Sequence, residues 1–191
     1  MSQGMYMDLI HCSTPEEVYA TVRDWISGLT DHEHLVRSTI LDIHVDIERV
    51  MKQTLYHILL GVMFHGDDAS EDEDHCKNLN TMVTKLNFAT VSRILKPCFD
   101  AYPASELADI QLVNEVRNSV AHRQDPNKVT YKDRSPFGDP DCLAQLYLDG
   151  WAIRSVVGKF FEVMISDPRV RAEHYAKFYR ENYARLKEES A

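Results

Sequence analysis

At 191 residues, with only seven Gly and seven Pro, the chain has room for one domain built from long helices. Apolar residues at 44% and charged residues at 27% give the balance of a soluble globular protein, which excludes a disordered or fibrous chain. A formal net charge of −9 argues against coating nucleic acid without specificity, because such binding rests on neutralising phosphates.

The charge is unevenly spread. GDDASEDEDH carries six carboxylates and no cation, whereas residues 117–134 hold five Lys or Arg against two Asp, and residues 169–187 hold six against two Glu. Charge alone therefore leaves a specific nucleic-acid partner open. The start, MSQGMYMDLIHCSTPEE, lacks a basic segment followed by an apolar run, and LYHILLGVMF is too short to span a bilayer. A cytoplasmic chain with no membrane partner is expected. Cys12, Cys76, Cys98 and Cys142 stand alone, with no CxxC or CxxH pair. Neither a zinc site nor a disulfide framework is indicated, and no metal or other cofactor is expected.

The predicted elements are almost all helical. The first opens at STPEE, with Thr14 as N-cap, Pro15 in the first position and Glu17 closing a capping box. Val18, Val22, Trp25, Ile26 and Leu29 then mark one face. A long helix follows over about 31 to 62, with Asp31 as its cap. Its core stripe is Ile40, Ile43, Ile47, Met51, Leu55, Ile58 and Val62. GDDASEDED reads as a solvated loop. A third helix runs through LNTMVTKLNFATVSRIL and stops before Pro97, and a fourth starts near Ser105. The Pro- and Gly-rich stretch DPNKVTYKDRSPFGDP, within the loop 124–140, is longer than a bundle connection needs, which points to function. KVTY reads as a short extended piece. Asp139 and Pro140 start a fifth helix carrying Leu143, Leu146, Tyr147, Ile153, Val157, Phe160, Phe161 and Met164, and Asp167 with Pro168 start a last one. The fold class is all-α, an antiparallel bundle of five to six helices in one domain. Within it, residues 1–30 form an N-terminal helical extension, 31–166 the core bundle and 167–191 a basic, aromatic C-terminal helix.

The end of the fourth helix, LVNEVRNSVAHRQDP, carries the chemistry. Leu112, Val113, Val116 and Val120 form an apolar flank for packing. Asn114, Arg117, Asn118, Ala121 and His122 follow the spacing of a buried stripe but are mostly polar. Buried arginine and asparagine without partners are costly, so the stripe should face water, a ligand or a second subunit. The negative end of the helix dipole favours imidazolium at His122, in the last turn before Pro126. Arg117 offers a phosphate a bidentate fork, and Asn118 sits one turn before His122. An arginine and a histidine without a carboxylate cluster suit metal-independent phosphodiester cleavage. In that reaction an RNA 2′-OH gives up its proton while the arginine stabilises the pentacovalent phosphate. The same spacing also fits an ordinary helix cap beside a surface arginine.

LVNEVRNSVAH resembles the signature of the HEPN superfamily, in which an Arg, four to six residues and a His close a bundle helix. Asn commonly follows that Arg, and Ala often precedes the His, as at Asn118 and Ala121. The resemblance implies a homodimer in which two such helices face each other and form one cleft. It implies a metal-independent endoribonuclease acting on single-stranded RNA, in a toxin or defence system with an antitoxin protein as partner. Arg117, His122 and Asn118 would be the catalytic residues, and Asn114 with Arg123 would contact substrate at the cleft rim. Members without activity, such as the mannitol-repressor-like proteins, make a non-enzymatic regulator the alternative, and a plain helical interaction module a third. Toxin members paired with a nucleotidyltransferase antitoxin carry Tyr two residues after the His. Here that position is Gln124, which puts that pairing in doubt.

Other features have ordinary readings. Tyr175, Phe178, Tyr179 and Tyr183 lie among basic residues, where aromatics can clamp single-stranded RNA or pack an amphipathic helix. The pairing of His32 with His34 is expected to splay, since residues two apart on a helix point away from each other. His44, His57 and His65 carry no assigned role.

Overall fold

The computed structural model describes residues 12–63, 73–99, 110–122 and 125–166. Among them the backbone is all-α, a helical bundle of α1 (Pro15–Ser27), α2 (Glu33–Met63), α3 (Glu73–Lys85), α4 (Phe88–Phe99), α5 (Ile110–Ala121) and α6 (Pro140–Ser166), with one 3-10 turn at Pro126–Lys128. No described helix is long and apolar enough to cross a membrane. The chain forms two compact units, one of residues 1–46 and 109–153 and the other of 47–108 and 154–191, so both boundaries at the long helices fall inside α2 and α6. The last helix expected from Asp167 lies outside the described residues.

In the first unit, α1 begins as its sequence dictates. The Thr14 hydroxyl accepts from the Glu17 amide, while the Glu17 carboxylate accepts from the Thr14 amide, which satisfies two of the donors a helix start leaves unpaired. Val22 and Ile26 are buried. The helix is tied to the start of α6 by Tyr19 and Arg23, which both donate to the Asp141 carboxylate, and by an edge-to-face contact of Trp25 with Tyr147. The Arg23 bond holds the Asp141 carboxyl below its ordinary range. Asp139 caps α6, its Oδ1 accepting from the amides of Asp141 and Cys142.

Helix α2 starts one residue later than its sequence suggests. The carbonyl of His32, not a position at Asp31, accepts the first helical amides, from Leu35 and Val36. The stripe Ile40, Ile43, Ile47, Met51, Leu55 and Ile58 is buried as expected, while the Val62 side chain lies outside the described set. Along α6, Leu143, Leu146, Tyr147, Ile153 and Val157 are buried, and the side chains of Phe160, Phe161 and Met164 lie outside it.

The second unit corrects the third predicted helix. It begins at Glu73, inside the acidic run, and it breaks at Leu86 and Asn87. The Asn87 side-chain oxygen accepts the Thr90 amide at 2.9 Å and so starts α4 as a separate helix. Helix α4 then continues through Pro97 to Phe99. Leu79, Val83, Phe88, Val91, Ile94 and Leu95 are buried, as are Ile47, Met51 and Leu55 of the same unit. The Lys52 ammonium, paired with Glu48, donates to the Thr84 carbonyl and thereby caps the C-terminal end of α3.

The stretch before α6 is a built structure. Tyr131 and Arg134 exchange two backbone hydrogen bonds around a tight turn in which Lys132 and Asp133 both take positive φ. Two non-glycine residues in that region are strained. Asp149 braces the turn, accepting from the Tyr131 hydroxyl at 2.6 Å and the Lys132 ammonium at 2.8 Å. Arg134 forms a two-pronged pair with Asp139, and Val129, Tyr131 and Pro136 are buried.

Beneath this turn Cys142 is buried, with its thiol against the carbonyls of Tyr131 and Arg134. Burial pushes that thiol up to about 11, from an ordinary 9.0. The raised value means that the folded state holds the proton more tightly. The resulting stabilisation is full below pH 9.0 and is lost as pH rises through about 11. The native protein at pH 8 should therefore leave Cys142 unmodified by a thiol reagent that labels partly exposed Cys12 and Cys76, and alkaline unfolding should set in between these two values. Labelling of Cys142 as fast as Cys12, followed by mass spectrometry of peptides, would contradict the buried thiol.

Candidate active site

Two contacts fix how α5 lies on α2 in the first unit. Asn114 meets His44, and the Val120 carbonyl meets Arg37, so the helices run antiparallel. Val113, Val116 and Val120 supply the buried edge, as the sequence predicts. Leu112, expected to share that edge, is instead 36% exposed.

The polar stripe divides along its length. Asn114 is not at an open rim. It is 7% exposed, and its side-chain oxygen accepts from His44 Nε2 at 3.2 Å, with His44 itself buried. The physical reason is the partner: a buried amide is tolerated once a neighbouring element supplies its hydrogen bond, and α2 supplies one. Arg117 and Asn118 are half-buried, and Ala121 and His122 are exposed. Arg123 and Gln124 lie outside the described residues.

Arg117 and His122 both bond to Asn118, the first through its guanidinium to the side chain and the second through its backbone amide. One guanidinium nitrogen of Arg117 donates to the Asn118 side-chain oxygen at 2.9 Å, and the Asn118 backbone carbonyl accepts the His122 amide at 2.9 Å. Asn118 and His122 are one turn apart and share a face. The bond to Asn118 therefore draws the Arg117 guanidinium toward the side of α5 that carries His122. A guanidinium has five N–H donors, and this bond uses one.

The last turn of α5 is held from outside. Arg37 of α2 donates from one nitrogen to the Val120 carbonyl at 3.1 Å and from Nε to Glu33 at 2.7 Å. Its charged carbon lies 5.3 Å from the centre of the Phe137 ring, a cation–π contact. The sequence reading missed both Arg37 and His44. For Arg37 the available signal was Glu33 four residues earlier; for His44 it was a histidine within the apolar stripe.

The His32 and His34 rings do not splay apart; their centroids are 5.8 Å from each other. His32 precedes the helix, so helical spacing does not govern the pair. Among the described residues no group of three or more His, Cys, Asp or Glu is placed to hold a metal ion.

No protein-family model, curated protein or solved structure matches this chain.

Proposed function

We propose that the chain is a metal-independent endoribonuclease of the HEPN type, working on single-stranded RNA as a homodimer. The observation that supports this most is the linkage of Arg117 to Asn118 and of Asn118 to His122 at the exposed end of one helix. In this reading the His122 imidazole takes the proton of a ribose 2′-OH. The freed oxygen attacks the adjacent phosphorus, and the bond to the 5′-oxygen of the next nucleotide breaks. That oxygen leaves with the proton that the His122 imidazolium returns, producing a 2′,3′-cyclic phosphate and a 5′-hydroxyl and regenerating the neutral imidazole. Arg117 stabilises the negative charge that builds on the phosphorane, where a planar fork of donors is worth more than in the ground state. Asn118 orients the guanidinium. Asn114 is left out of substrate contact by its burial, and Arg123 keeps its proposed place at the rim. The second protomer would supply an equivalent set. A toxin or defence role, with an antitoxin protein as partner, follows from the same reading.

The test is incubation of the purified chain with mixed RNA substrates in excess EDTA, with analysis of product ends. Cleavage that leaves cyclic phosphate is the expected result. Intact RNA across varied sequences would overturn the proposal and assign the Arg117–Asn118–His122 surface to nucleotide binding or subunit pairing.

A further inference from the structure

We infer that Arg37 is a positioning residue of this site, holding the His122-bearing end of α5 in place relative to Arg117. The inference rests on the ribonuclease reading for its consequence in catalysis, and on the geometry alone for its consequence in structure.

Three segments converge on this one side chain. Glu33 anchors it within α2, the Val120 carbonyl receives it at the end of α5, and Phe137 of the folded turn segment lies against its face. The carbonyls of a helix's last turn have no partner within the helix and carry its negative pole. A guanidinium placed there fixes the final turn and offsets that charge. Val120 is two residues before His122 and three after Arg117, so the clamp acts between the two groups. The Arg37 side chain is 18% exposed, consistent with a structural hold rather than an open phosphate contact. Phe137 in turn is set by the segment that starts α6, where the Ser135 hydroxyl accepts its amide. Lysine cannot take all three roles, because its single ammonium has neither the fork nor the flat face.

The test compares Arg37→Gln, Arg37→Lys and, as a control for general destabilisation, Arg23→Gln, which removes the pair with Asp141 elsewhere in the same unit. In Arg37→Gln, kcat on RNA should fall by on the order of a hundredfold with KM within about twofold, the pattern of misplacement by roughly an ångström. Arg37→Lys should recover part of that loss, and Arg23→Gln should leave kcat unchanged. Independently of activity, hydrogen exchange at the His122 amide should speed up about tenfold in Arg37→Gln, as loss of a charged hydrogen bond implies. The His122 ring signals in a proton–carbon spectrum should move as well, and neither change should occur in Arg23→Gln. A rise in KM with kcat unchanged would make Arg37 a substrate contact and overturn the inference, as would unaltered exchange and ring signals. If the wild type cleaves no RNA, the ribonuclease reading falls, while the exchange and ring measurements still decide whether Arg37 holds this turn.

Discussion

His122→Ala should lower metal-free RNA cleavage by on the order of a thousandfold while leaving the fold intact. A positioned general base contributes roughly 10²–10⁴ in rate. His122 is exposed beyond the last residue of α5, so no core contact is lost with the ring. Arg117→Ala should cost about 10²–10³, the range for removing a donor aimed at developing negative charge. Arg117→Lys should recover little, because an ammonium cannot both bond Asn118 and present a fork. The double variant should be little worse than His122→Ala alone, since residues that act as one unit are grossly non-additive. The measurement is single-turnover cleavage of one RNA in EDTA, with circular dichroism to confirm helix content. Equal rates for wild type and both single variants would mean that any cleavage seen comes from elsewhere.

What was legible in the sequence follows from how local each signal is. The capping box and proline start at Thr14–Pro15 and the aspartate cap and proline start at Asp139–Pro140 are written within four residues, and both helices begin where those residues dictate. The apolar stripe of α2 repeats over enough turns to define its buried face without knowledge of its neighbours. The break at Asn87 was missed because one asparagine within a helical pattern competes with apolar spacing on both sides. Only its bond to the Thr90 amide reveals it as a cap. The turn at Tyr131–Arg134 was missed for a different reason. Lys132 is not a residue that favours positive φ, and the group that braces the turn by bonding Tyr131 and Lys132, Asp149, lies on α6.

The candidate site shows the same division. Residues 114 to 122 could be placed on one helix from their spacing, because that spacing is local. Whether each faces inward depends on what α2 brings opposite. Arg37 and His44 are 83 and 70 residues from their partners on α5, and no pattern in the chain announces such pairs. Periodicity thus located the polar stripe but not its division into a buried part at Asn114 and an exposed part at His122.

That division yields a second large effect, on stability. His44→Ala should destabilise the protein by about 3–4 kcal/mol, since it leaves a cavity in the core and strands the Asn114 amide. Asn114→Ala should cost about 2 kcal/mol, mostly from the imidazole left without that acceptor. The double variant should be less destabilised than the sum by roughly 1–2 kcal/mol, because the two losses share one hydrogen bond. Both tryptophans of the chain, Trp25 and Trp151, lie in the same compact unit as this pair. Tryptophan fluorescence during urea unfolding therefore reads that unit directly, and circular dichroism followed alongside reports on helices of both units. Perfectly additive losses, or single effects below about 0.5 kcal/mol as for an ordinary surface change, would contradict the buried pair. Activity gives the complementary reading. Below its unfolding transition, Asn114→Ala should keep the wild-type KM for RNA, because Asn114 faces His44; a KM raised severalfold with stability unchanged would return Asn114 to the rim of the cleft.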